Sequence, residues 1–516
     1  MRNLKLLLIL AAFVNAFTWI TLVPVGQYPD EQSHFAQVQN IAEFGQSQFN
    51  SKENTSYEID LLEKTLYTDK NYNNNNAYTY HPEFNIPYSN SLNGLEENKF
   101  NNLPKIARTT LVKQEATENP PLYYYLGSVP YKLLYNSNIF ERIYAIRIAS
   151  LFLFLAQIIL SYKIARIVFK KEKILQITLP ALLAFMPMLV FASTGVLPDP
   201  LTNLIFTLII YGCVKIIETG YQTKSILLLL VALIFGFYTR QQFLIALPII
   251  ITAFFLRYFR TKNYKGIILL VFLLFGVGLS FKTFSLAIPE IGRSNYFNMF
   301  NAQFLLYLKS MLINWYRETL PWYWGVYRWL SLTIPHTYYK IIKLIIALSI
   351  IGIILKFWLL LKKKQGETNH WHIIFFICAT FIYAAVFAIG DYFFIKQTGY
   401  SFGIQGRYFF PLIAAHITIL LTGYWVVSKL IFKKNARFAI CLLIFLMILF
   451  NDLSLFYVAA SYYSFENISR FILQASQYKP TIIKGNIILY ILILNITLQA
   501  VFGLNLIKNT FKNELA

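Results

Sequence analysis

Acidic residues are scarce in this sequence and cysteine is nearly absent. Only 24 of 516 residues are Asp or Glu, and charged residues of both signs together make up 14%. The three cysteines, Cys213, Cys378 and Cys441, all fall inside apolar runs, which argues against a disulfide framework and reads them as small core hydrophobes. There is no CxxC and no Cys/His spacing of a metal site. What fills the chain instead is apolar: 57% of it is hydrophobic, with 46 Phe and 36 Tyr. That composition excludes an ordinary soluble domain and indicates an integral membrane protein.

A helix needs about 20 apolar residues to cross a hydrocarbon layer of about 30 Å. Runs of that kind lie at 5–24, 143–169, 174–196, 199–218, 224–240, 243–259, 265–284, 338–361, 372–395, 405–432, 437–459 and 485–507. They predict an all-α polytopic membrane protein of about 12 transmembrane helices, one domain over 1–516. The third and fourth runs meet at Leu197-Pro198 and read as a hairpin or a partly re-entrant pair. The first run has a basic start but stays apolar past Val25 with no clear small-x-small site, so it is kept as a span rather than a cleaved signal.

The formal charge is +22, and its position explains it. Threaded alternately with the N-terminus inside, the inward segments carry Arg2 and Lys5; Lys170, Lys171 and Lys173; Lys215 and Lys224; Arg257, Arg260, Lys262 and Lys265; Lys362 to Lys364; Lys433, Lys434 and Arg437; and Lys508 and Lys512. Every inside loop is basic, as the positive-inside rule requires, and nucleic acid is not implied. The abundance of Asn, Ile and Lys suits an AT-rich prokaryotic genome. The expectation is a multi-pass protein of the prokaryotic cytoplasmic membrane with a cytoplasmic N-terminus.

Three loops then face outward: 25–142, 285–337 and 460–484. The first is the largest and most polar, with an irregular, variable insert at 50–102 that contains the Asn run Asn73 to Asn76 and His81. The second is aromatic and reads as helices at the membrane interface. Its Trp322 to Tyr327 segment suits either interface anchoring or stacking on sugar or isoprene. His336 and His416 read as interfacial or packed histidines.

At the start of the first loop stands YPDEQSH. Pro29 suits a first helical turn, acidic residues after it are favoured by the exposed N–H groups, and Gly45 ends the helix, giving a membrane-surface helix over 29–44 with Phe35, Val38 and Ala42 on one side. Asp30 and Glu31 then share a face with His34, four and three residues on. Two readings stand: a helix-start pair satisfying the dipole, or a carboxylate kept ionised and aimed as a general base on an acceptor hydroxyl. The place beside the membrane favours the second.

Here the sequence resembles a family. PDEQSH and, at the far end of the same loop, ENPPLYYYLGSVPYKLL are similar to the PDE-x-x-H and HPPLYY signatures of a bacterial group of predicted membrane proteins within the GT-C glycosyltransferase superfamily. LPDPLTNLIFTLII at 197–210 resembles that group's short outward turn with an Asp, and QGRYFFPLIAAH at 405–416 its GRYF-P motif. The four occur in order over nearly the whole chain. Asn119 departs from the pattern, standing where the family often has His before Pro-Pro. The resemblance implies a GT-C-like fold whose large outward first loop carries a catalytic acid at a surface helix. It implies an enzyme moving a sugar from a polyprenyl-phosphate carrier to an extracytoplasmic glycan, lipid or protein. Carried over, Asp30 is the base, Glu31 its partner or a metal or sugar ligand, and His34 orients a carboxylate or binds the acceptor. A divalent cation such as Mg or Mn is left open, and no other cofactor is implied.

A phosphate leaving group also calls for fixed positive charge, which the forked, always-protonated guanidinium supplies better than Lys. Arg407, after GIQG at the outer start of a span, is the first choice and Arg240, in FYTRQQF, the second. An isolated Arg there is otherwise a snorkelling anchor. Asp199, between Pro198 and Pro200, is either a span-start cap or a paired carboxylate of the same cavity. Arg147 either faces that cavity or pairs with a glutamate such as Glu141; Tyr123 and Tyr408, inside the two aromatic motifs, complete the candidate set. A transporter or lipid-linked-glycan flippase would carry internal inverted repeats, and none is visible. A polysaccharide polymerase is the nearer rival, though it usually relies on a large late loop. A purely structural protein leaves Asp30, Asp199 and Arg407 unexplained.

Overall fold

The computed structural model describes residues 2–48, 51–69, 86–89, 95–266, 268–271, 274, 302–362 and 370–511. Most of the expected span at 265–284 lies outside them, as do the Asn run, His81 and the start of the aromatic loop. In chain order the helices are α1 (Arg2–Leu22), α2 (Glu31–Phe44), α3 (Tyr57–Leu66), α4 (Leu95–Asn101), α5 (Leu122–Leu133), α6 (Ile139–Val168), α7 (Lys173–Ala184), α8 (Pro187–Thr194), α9 (Asp199–Thr219), α10 (Thr223–Phe237) and α11 (Ala246–Thr261). Then follow α12 (Ala302–Asn314), α13 (Leu320–Trp324), α14 (His336–Leu361), α15 (His370–Thr398), α16 (Ile413–Phe432), α17 (Ala436–Tyr462), α18 (Ile468–Ala475) and α19 (Ile487–Phe511). The β-structure among the described residues is two short antiparallel pairs, β1 (Thr55–Ser56) with β2 (Leu111–Lys113) and β3 (Val326–Tyr327) with β4 (Leu332–Thr333).

The protein is an all-α polytopic membrane protein. Among the described residues nine helical stretches are long and apolar enough to cross a bilayer; α7 and α8, bent by 57° at a short break, make a tenth if counted as one span, and α10 is a shorter apolar helix. The expected meeting point at Leu197-Pro198 falls in the turn between α8 and α9, and the third apolar run has a further break at Phe185-Met186, because Pro187 cannot continue the ladder of α7 and instead opens α8. Adjacent spans approach closely where side chains vanish. A Cβ on Gly352 of α14 would lie 1.9 Å from the Gly423 carbonyl oxygen of α16, so these backbones touch, as small residues allow where apolar burial alone does not drive association.

The first loop is tightly packed on the bundle. α2 differs from the expected helix lying on the membrane surface: Glu31 through Ile41 are all buried, polar positions included. Its outer polar groups are met by the rest of the loop. Asn40 donates to the Asn54 carbonyl at 2.8 Å, Gln39 donates to Glu58 at 2.8 Å, and the Thr117 N–H donates to the Ser33 carbonyl at 3.2 Å. A fully buried ion pair of Arg142 on α6 with Glu58 on α3 closes the same layer, with Arg142 also donating to the Tyr131 hydroxyl at 2.6 Å.

The Trp322–Tyr327 segment is a packing element. Trp324, Val326 and Tyr327 are buried, and the Tyr327 ring lies 5.5 Å from Trp19 and 5.1 Å edge-on from Phe191. His416 is a packed histidine, with Nδ1 3.0 Å from the Tyr323 hydroxyl. Trp329 donates from its indole to the Gly26 carbonyl at 3.1 Å, tying the second loop to the first beside YPDEQSH.

Candidate functional site

The helix of YPDEQSH begins at Glu31, two residues later than the Pro29 start that the sequence predicts. Asp30 is its N-cap but adopts the left-handed conformation (φ 53°, ψ 25°), and its side chain accepts no capping hydrogen bond. Asp tolerates that region better than most residues. The turn throws the carboxylate outward, with 56% of the side chain exposed, and brings Oδ2 to 3.9 Å from Nη2 of Arg407.

Glu31 turns the other way. Its carboxylate, 1% exposed, accepts from Arg147 Nε at 2.8 Å and Nη2 at 2.6 Å, from the Gly26 N–H at 2.9 Å and from the Val196 N–H at 3.2 Å. Arg147 spends its remaining donors on the carbonyls of Val23 and Pro24, each at 2.8 Å. The pair is therefore a bidentate structural clasp joining the end of α1, the start of α2, α6 and the turn before α9. All four acceptor positions of Glu31 are thus taken by these partners, and Arg147 has the glutamate-pairing role that the sequence left open, with Glu31 in place of Glu141. Tyr123 is likewise turned inward, its hydroxyl 2.9 Å from Ser150 of α6.

Arg407 sits on the 3-10 turn Gly406–Leu412 that leads into α16. A Cβ on Gly406 would fall 2.1 Å from the Tyr323 backbone nitrogen, so glycine is required for this turn to seat against α13. Gln405 accepts from Arg407 Nε at 2.8 Å, and Nη1 lies 3.3 Å from Asp199 Oδ2. Asp199 opens α9, only 8% exposed, and its other oxygen lies 2.8 Å from Nη2 of Arg240. Arg240 stands in an extended residue between α10 and the turn Gln241–Ile245, and its Nε is buried without a hydrogen-bond partner. One carboxylate thus bridges two guanidiniums, and the second carboxylate, Asp30, stands beside one of them. Tyr408 is half-buried with its ring 5.6 Å from the Arg407 guanidinium.

His34 lies beneath this group, its Nδ1 2.9 Å from the Tyr124 hydroxyl. Burial, then the positive charges of Arg240 and Arg407, push its pKa well below the ordinary value, so the ring is neutral at pH 7. Tyr124 and Gln405 are residues that sequence reasoning missed. Tyr124 was hidden among three consecutive tyrosines of which alternate ones face opposite ways, and Gln405 is an uncharged neighbour of a motif arginine. Asn119, at the departing motif position, donates to Thr117 at 2.5 Å, and the backbone beside it is held where Leu122 donates to the Tyr238 carbonyl at 2.9 Å, two residues before Arg240.

A divalent cation does not fit this donor set. Both Asp199 oxygens face guanidiniums, Asp30 alone remains open, and two fixed positive charges adjoin it. Among the described residues no group of three or more His, Cys, Asp or Glu is arranged to hold a metal.

Residues 13–415 match the family model described as "Predicted membrane protein (DUF2142)". No curated protein matches the chain in sequence. Among solved structures it is similar to the apo oligosaccharyltransferase of Archaeoglobus fulgidus, at 13% identity and a TM-score of 0.44 over 89% of this chain and 56% of that one. It is also similar to ArnT from Cupriavidus metallidurans, at 12% identity and 0.37 in the apo state over 96% of this chain and 75% of that one. For ArnT bound to undecaprenyl phosphate the values are 13% and 0.40, over 88% and 76%. The chain spans just over half the length of the archaeal oligosaccharyltransferase.

Proposed function

We propose a sugar-transfer function for this chain, which belongs to the DUF2142 family of predicted membrane proteins: a GT-C-type glycosyltransferase that moves a sugar from a polyprenyl-phosphate-linked donor to an extracytoplasmic glycan, lipid or protein acceptor. The observation that carries this reading is the cluster of Arg407 and Arg240 around Asp199, with the exposed Asp30 carboxylate 3.9 Å from Arg407. The motif resemblance at PDEQSH, ENPPLYYY, LPDP and QGRYFFP supports it, because all four motifs contribute to that cluster or its immediate support.

In this reading Asp30 takes the proton from an acceptor hydroxyl as its oxygen bonds to the anomeric carbon of the donor. The bond from that carbon to the phosphate oxygen breaks, and the polyprenyl phosphate departs with the electron pair. Arg407 and Arg240 hold the developing phosphate charge in a site preorganised by Asp199, and the unpartnered Nε of Arg240 is a donor ready for a phosphate oxygen. Neutral His34, bonded to Tyr124, positions the acceptor. In this reading the site faces the extracytoplasmic side of the prokaryotic inner membrane with the N-terminus inside, which the Lys- and Arg-rich segments at the opposite helix ends support. Residues 1–516 form one GT-C-like domain, with 25–142 and 285–337 as its outward loops.

The test is a transfer assay with purified protein and a panel of polyprenyl-phosphate sugars, comparing wild type with Asp30→Asn. Loss of turnover with donor binding retained is the expected result, and unchanged turnover rejects Asp30 as the base.

A further inference from the structure

At the other end of the spans lies a charged cavity that the proposed sugar transfer does not use. α9 carries Asp199 at its first residue and Glu218 near its last, about 30 Å apart at 1.5 Å per residue. α16 follows the Arg407 turn and ends at Phe432, just past Lys429, and α6 places Arg147 near the first cluster and ends beside Lys170. These far ends enclose a cavity of about 290 Å³ lined by Lys170, Lys171, Lys356, Lys429, Glu172, Glu218 and His372, with Leu359, Trp425, Val426 and Leu430 as its apolar wall.

Four lysines face two glutamates there, leaving an excess of positive charge. Lys170 pairs with Glu218, and Lys429 lies 2.8 Å from Glu172 and 4.8 Å from the centre of the Trp425 ring. Lys356 is only 5% exposed although it stands within two turns of the end of α14, where a lysine ordinarily snorkels to water. His372 is 1% exposed, with Nε2 3.5 Å from a Glu218 oxygen. Leu430, 54% exposed, brings apolar surface to the cavity's edge.

We propose that this cavity binds the phosphate headgroup of an anionic glycerophospholipid of the surrounding membrane, with the lysines on the phosphate and an acyl chain along Leu359, Val426 and Leu430. The shared chemistry is a phosphate ester, and the apolar wall that continues to exposed Leu430 favours a lipid over a soluble phosphate. Basic pockets between spans on the inner side suit such headgroups.

Native mass spectrometry of detergent-purified full-length protein, with added phosphatidylglycerol, phosphatidylcholine or soluble glycerol phosphate, tests this. We expect phosphatidylglycerol to be retained in preference to phosphatidylcholine, and K356Q to weaken that retention about fivefold, the loss of roughly 1 kcal/mol for one lysine at the headgroup. Should K356Q fail to purify as a monodisperse species, K429Q, at the half-exposed rim, gives the same readout. Equal retention by the variant and the wild type overturns the proposal. So does displacement of the lipid by glycerol phosphate at matched concentration, which would make the site one for a soluble phosphate.

Discussion

Asp30 and Glu31 are adjacent in the chain and turn in opposite directions: Glu31 is 1% exposed in the grip of Arg147, while 56% of the Asp30 side chain faces out beside Arg407. The left-handed backbone of Asp30 separates them. Substitution should divide them as clearly. Asp30→Asn is expected to keep the fold and lower the transfer rate by about 10²–10⁴, the contribution of a positioned base. Glu31→Gln is expected to leave Arg147 a buried, uncompensated charge and cost about 3–5 kcal/mol of stability. Thermal unfolding in detergent beside the transfer assay separates the two; a stable, inactive Glu31→Gln protein would reverse the assignment.

Arg407 makes two bonds that need the guanidinium fork, one to Gln405 and one to Asp199. Arg407→Lys retains charge but loses that geometry. A fall of about 10²-fold in kcat is expected, the scale of removing one preorganised donor, and wild-type kinetics in this variant would remove Arg407 from the phosphate site.

The His34 pKa is held down by burial and by Arg240 and Arg407, so the unfolded chain binds its proton more readily than the folded one. Its stability contribution is complete above the unfolded value of about 6.5 and is lost as pH falls below it. Unfolding midpoints of wild type and His34→Gln measured from pH 7.5 to 5 should diverge, with the wild type losing more. Parallel curves would contradict the assignment.

Gly406→Ala places a methyl group 2.1 Å from the Tyr323 nitrogen. Backbone cannot give way as a side chain does, so the turn must shift and carry Arg407 with it, at about 1–3 kcal/mol. A loss of transfer that exceeds the loss of thermal stability is the expected signature; unchanged activity would mean that Arg407 tolerates displacement.

The spans were legible because each is a run of apolar residues, and the charged residues at their ends because charge there is expensive. Asp30, Asp199, Arg240 and Arg407 stood out for that reason, though sequence alone gives no distances, and the structure brings these four together. Less could be read from Glu31, Arg147 and Tyr123, because which of two adjacent polar residues turns inward depends on the backbone angle at Asp30 and on partners more than a hundred residues away. The burial of α2 was hidden for a related reason: its outer polar face suggests water, yet Gln39 and Asn40 are satisfied by Glu58 and Asn54.

The Glu31–Arg147 clasp has a mechanical consequence. It fixes the root of Asp30 to three helices like a stone set in mortar, so that only rotation about the aspartate's own side-chain bonds remains on that side. The two arginines stand on other elements, Arg240 in the extended residue before the turn Gln241–Ile245 and Arg407 in the turn Gly406–Leu412. The proposed site is therefore anchored from two sides, Asp30 through the clasp and the arginines through Asp199 between them.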